Sequence, residues 1–130
     1  MRFCLNLLLI MMLLGACQKN NNIPAQPDKV TVDVIAPSEG QQYKKGDTVR
    51  IKANVSYISQ LHGYQVKIID AESGIAVYDI DGHVHGTNVS IEEYWVDTLS
   101  IVKALKVQIL AVIDHDKSTS LKEIVVHSQP

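Results

Sequence analysis

Two alternations dominate the chain. In Thr48 to Tyr57 the apolar residues Val49, Ile51, Ala53, Val55 and Tyr57 take every second position, and in Ala104 to Ile113 Leu105, Val107, Ile109, Ala111 and Ile113 do the same. A period of two is that of a pleated strand with one face turned inward, so both segments predict strands whose odd-numbered residues build a core. Shorter runs of the same kind surround them. Val30 to Ile35 predicts a first strand, ended by Pro37-Ser38-Glu39-Gly40, and Lys45-Gly46-Asp47 turns the chain into the second, Thr48 to Tyr57. After a loop at Ser59 to His62, a third runs from about Gly63 to Ile69 with Tyr64, Val66 and Ile68 inward, closed by Asp70-Ala71-Glu72-Ser73-Gly74. A fourth begins at Ile75, Asn88 to Val96 is the fifth, Ala104 to Ile113 the sixth and Thr119 to His127 the seventh. Trp95 is expected in the core. No segment carries the period of an amphipathic helix.

A different pattern stands upstream. Leu5 to Leu14 is almost wholly Leu, Ile and Met, interrupted only by Asn6, and it follows the positive start Met1-Arg2. A bilayer span needs about 20 apolar residues, so this shorter run predicts the apolar region of a signal peptide. Gln18 to Lys29 is polar, carries two prolines and has little to bury, as expected of a tether. The predicted organisation is residues 1–16 as signal peptide, 17–29 as lipidated cysteine and flexible tether, and 30–130 as one β domain.

Composition narrows the class. Hydrophobic residues make up 46% and charged residues 20%, which is ordinary for a globular chain. The net charge of -2 comes from 12 basic and 14 acidic residues without a block of either sign, so no nucleic-acid partner is expected. Cys4 falls in the leader and Cys17 at its end, so the domain is expected to have no disulfide and to rest on packing alone.

Leu14-Gly15-Ala16-Cys17 resembles the lipobox of bacterial lipoproteins. That resemblance implies that the Cys17 thiol receives a diacylglyceryl group, that cleavage frees its amine, and that a further palmitate-type acyl chain follows. The implied location is the cell envelope, with the chain lipid-anchored to a bacterial membrane, the outer one by expectation. No acidic cluster follows Cys17, whereas some surface-exported lipoproteins of Bacteroidota carry one, so a face toward the periplasm is expected. Downstream, Pro37-Ser38-Glu39-Gly40 and Tyr43-Lys44-Lys45-Gly46-Asp47 before the alternating strand resemble single-domain immunoglobulin-like or fibronectin-III-like lipoproteins of Bacteroidota. The expected fold is therefore all-β, an immunoglobulin-like antiparallel sandwich of about seven strands, with an OB or other small barrel as the alternative. A fold of this kind does not name a function.

The histidines are the unusual distribution. Asp79, Asp81, His83 and His85 occupy every second residue, which in an extended strand would set them on one face at a spacing of roughly 6 to 7 Å. Immunoglobulin-like strand order would bring His62, then His83 and His85, then His115 to one end of the domain, with Asp81, Asp114 and Asp116 beside them. A divalent-metal site, for zinc or a similar ion, would draw on Asp81, His83, His85, Asp114 and His115. The preferred expectation is plainer: these are solvated loop residues, and Asp81-Gly82 is a hairpin turn that interrupts the row, with no cofactor. Catalysis is not expected, because the chain lacks Gly-x-Ser-x-Gly, a phosphate-cradling Gly loop, His-Glu-x-x-His and Cys-x-x-Cys. Glu92 and Glu93 are adjacent on a strand and so face opposite sides, which rules them out as a glycosidase pair. The expected function is that of a membrane-anchored, non-catalytic binding or structural module with a protein or glycan partner, and the alternative is a metal-binding lipoprotein.

Overall fold

The computed structural model describes residues 24–130, so the expected leader, Cys17 and the first part of the tether lie outside the described residues. A turn of 3-10 helix at Pro27–Lys29 precedes six strands: β1 Thr31–Ala36, β2 Gln42–Lys44, β3 Thr48–Asp70, β4 Ala76–Val96, β5 Lys103–Val112 and β6 Thr119–Gln129. The domain is all-β.

β3 and β4 form one long antiparallel hairpin, paired from Thr48 opposite Val96 to Ile69 opposite Ala76. The second and third strands expected from the alternation are thus two halves of β3, and the fourth and fifth are two halves of β4. The hairpin folds over in its middle. Ser56 pairs with Asn88 and Leu61 with Gly86, so residues 57–60 of one strand stand against Thr87 alone. Extra backbone on one side of a ladder bends and twists it, and here the bend carries the hairpin from one layer to the other. The first half of β3 pairs with β1, as Val32 opposite Val55, and the second half with β5, as Val66 opposite Ile109. β5 continues to β6, and β6 to the short β2, which is its parallel neighbour. The result is an immunoglobulin-like sandwich: β1, the start of β3 and the end of β4 in one layer, and the rest in the other.

The inward faces are the ones that the alternation marks. Val49, Ile51, Ala53 and Val55 are buried from one layer and Leu105, Val107, Ile109 and Ala111 from the other, with Val66, Ile68, Ile91, Trp95 and Val126 between them. Each large side chain so buried contributes about 1.5–3 kcal/mol. Tyr64 differs from its neighbours. It is half-buried, and its hydroxyl donates to Glu93 Oε1 at 2.8 Å, beside the Tyr78 hydroxyl on Oε2. At the start of the described chain, Ala25 and Val30 pack against the core and the Gln26 N–H donates to the Tyr57 hydroxyl at 3.1 Å. The turn read at Lys45-Gly46-Asp47 is present, with Gly46 at φ +92° and Asp47 accepting from the Lys44 N–H at 2.8 Å.

Candidate functional site at the histidine end

Just past the bend, Leu61 pairs with Gly86 and Gly63 with His83, so His62 alone opposes Val84 and His85. This is a β-bulge, a device that re-aims side chains along a strand. His62 therefore lies within β3, not in a loop. On its other flank Gly63 pairs with Val112 near the end of β5, which brings His115 of the following loop beside His62. Four imidazoles form a row across three segments. The ring centres are 4.6 Å apart for His83 and His85, 6.0 Å for His85 and His62, and 4.3 Å for His62 and His115. The Nε2 atoms of His83 and His85 stand 3.0 Å apart, and Gln60 Nε2 is 2.9 Å from His85 Nδ1. An amide nitrogen only donates, so in this arrangement His85 Nδ1 accepts from Gln60 and its Nε2–H donates to His83.

Asp81-Gly82 is not a hairpin turn. Gly82 pairs with Tyr64 in mid-strand, and a Cβ there would lie 2.3 Å from the Tyr64 ring. A Cβ on Gly63 would lie 2.8 Å from the Gly82 carbonyl oxygen. The two glycines let backbone and ring approach closely, and β4 stays extended. The alternation of Asp79, Asp81 and His83 along one strand consequently holds up to the bulge.

Not every residue of the expected set joins the row. Asp81 stays one pleat further along β4, opposite Gln65. Asp114 is beside His62, but its Oδ1 already accepts from the Ser118 N–H at 2.7 Å, and hydrogen bonding from Ser118 holds its carboxyl below the usual range. His62 has its Nδ1 buried with no hydrogen-bond partner. Burial pushes its imidazole pKa down, His115 and His85 act in the same sense, and Asp114 opposes them. A cleft of about 630 Å³ opens at this end, lined by His62, His115, Asp114 and Tyr57, and by Pro24 and Ala25 of the entering chain. Among the described residues no three His, Cys, Asp or Glu side chains stand in a ready-made ligand arrangement.

His127 lies apart on β6, opposite Gln42 and Ala104. Glu92 and Glu93 turn to opposite sides as expected, Glu92 to Arg50 and Glu93 to Tyr64. Two members of the cluster fall outside the expected ligand set, His62 and Gln60. Their signal is the same alternation that marks His83 and His85, visible once Ser59 to His62 is read as strand.

No family model matches the chain, and no curated protein matches it in sequence. Among solved structures it is similar to the fibronectin(III)-like modules of Clostridium thermocellum CbhA, at 14% identity and a TM-score of 0.49, over 76% of this chain and 96% of that one.

Proposed function

We propose that the protein is an envelope lipoprotein, anchored through Cys17, whose sandwich is a non-catalytic binding module with its histidine end toward the membrane. The observation that carries this is the place where the chain enters the domain. Pro24 and Ala25 line the same cleft as His62 and His115, so the described chain begins at that end. At roughly 3.6 Å per extended residue, the stretch from Cys17 to Pro24 reaches no further than about 25 Å. A lipidated Cys17 therefore keeps the cleft close to the bilayer surface. Two or three acyl chains on one cysteine give durable anchoring where a single chain gives only reversible binding. The polar groups that meet at the cleft are imidazole, amide and carboxylate, suited to holding a protein or glycan partner.

The test is metabolic labelling with radioactive palmitate followed by membrane fractionation, for the natural chain and Cys17→Ser. Label and membrane retention are expected for the natural chain alone. Equal label in both would end the lipoprotein reading.

A further inference from the structure

We propose that the histidine end binds one divalent late transition-metal ion, copper(II) or zinc(II), between His83 and His85, with His62 as third ligand. This goes beyond the anchored-module reading and stands whether or not Cys17 is lipidated. Two nitrogens each at 2.0–2.1 Å from one ion, at a tetrahedral angle, are about 3.3 Å apart. His83 and His85 already hold their Nε2 atoms at 3.0 Å, so an ion replaces the hydrogen bond between them with little movement of either ring.

The surroundings fit the same chemistry. With an ion on Nε2 of His85 its proton moves to Nδ1, and Gln60, now 2.9 Å away, turns its amide to accept from that nitrogen. A hydrogen bond of this kind to the far nitrogen orients most metal-bound imidazoles. His62 is the neighbour across the bulge, its ring edge-on to His85 at 6.0 Å. Its Nδ1 is buried without a partner, a costly setting that rotation of the ring toward an ion relieves. Asp114 is engaged by Ser118 and Asp79 by Gln65 at 2.8 Å, and Asp81 stands one pleat beyond His83, opposite Gln65, so the groups nearest to the pair are imidazoles. Imidazole suits zinc and copper, whereas calcium and magnesium need oxygen ligands. Three protein ligands leave a fourth position for water or for a group of the partner. His115 packs on His62, with its ring centre 4.3 Å away.

The full chain, purified without a histidine tag, would be titrated separately with copper(II) and zinc(II) by calorimetry, and its copper form examined by electron paramagnetic resonance. Expected are one ion per chain, a dissociation constant below about 10 µM, and nitrogen hyperfine structure. His83→Ala, His85→Ala and His62→Ala should each weaken binding about tenfold or more, and His127→Ala should leave it unchanged. Circular dichroism checks that each variant keeps its strands; His83→Gln and His85→Gln replace any alanine variant that does not. Weaker binding of both ions, binding indifferent to His83 and His85, or an equal loss in His127→Ala would overturn the proposal. Indifference to His62→Ala would overturn its place as third ligand.

Discussion

The ring of Tyr64 lies across the backbone of Gly82, so close that a Cβ on Gly82 would stand 2.3 Å from Cε1 and 2.4 Å from Cζ. An aromatic ring laid over a cross-strand glycine covers backbone that would otherwise be bare, and it pins the register of the two strands. This contact keeps β4 extended through a dipeptide whose local chemistry favours a turn. The spacing of His83 and His85 depends on it.

Gly82→Ala should therefore destabilise the domain by about 1–3 kcal/mol, because the ring must leave its place and give up its hydrogen bond to Glu93. Urea unfolding measures this. In a Tyr64→Ala background most of the cost of Gly82→Ala should vanish. An equal cost in both backgrounds would mean that the ring is not what the added methyl meets.

Ile109 sits at the centre of the core, 1% exposed and paired on both sides in β5. Ile109→Asp should unfold the domain, since an unpaired buried carboxylate costs several kcal/mol. Its neighbour Gln108 faces outward and donates to Glu123 at 2.8 Å. Gln108→Asp loses that bond and sets two carboxylates side by side, a cost of about 1 kcal/mol. Thermal melts of the two variants compare them directly.

Acid should loosen the hairpin turn between β3 and β4. Asp70 holds that turn by accepting from the Lys103 ammonium and from the Glu72 N–H, and these partners, Lys103 first, lower its pKa to about 2. A carboxyl depressed in the folded state stabilises fully above its unfolded value near 3.9 and loses that contribution as pH falls toward 2. The gap in urea midpoint between the natural chain and Asp70→Asn should accordingly be steady from pH 7 to 5 and narrow between pH 4 and 2. A gap that widened on acidification would contradict the assignment.

The end of the expected tether belongs to the packed domain. Ala25 lies against the core and the Gln26 N–H is bonded to the Tyr57 hydroxyl. A chain beginning at Asp28 should still fold, since every strand follows it, yet melt lower than one beginning at Pro24. Removing residues 24–27 also takes the acceptors of the Lys29 and Val30 N–H groups, so three hydrogen bonds and one small contact are lost, about 1–3 kcal/mol or at least about 4 °C for a domain of this size. Identical melting temperatures would show that Ala25 and Gln26 only rest on the surface.

The local pattern by itself determined which side of each strand is buried. Val49 to Tyr57 and Leu105 to Ile113 alternate without a break, and every odd position of both runs is buried, because the pleat leaves no other way to remove that apolar surface from water. Which histidines meet followed only once an immunoglobulin-like strand order was assumed, and it is the pairing of β3 with β4 and β5 that carries His62, His83, His85 and His115 to one end. What the local pattern left undecided is where strands stop. Ser59 to His62 and Asp81-Gly82 have the composition of turns, yet each continues a strand, because a partner across the sheet supplies what the local residues lack: Gly86 opposite Leu61 for the first, the Tyr64 ring for the second. Those contacts are between residues far apart in the chain and leave no local trace. For the same reason, only the tertiary structure decided that Asp114 is taken by Ser118 and Asp81 stays with Gln65, while His62, at the bulge, brings a buried and unpartnered nitrogen to the row.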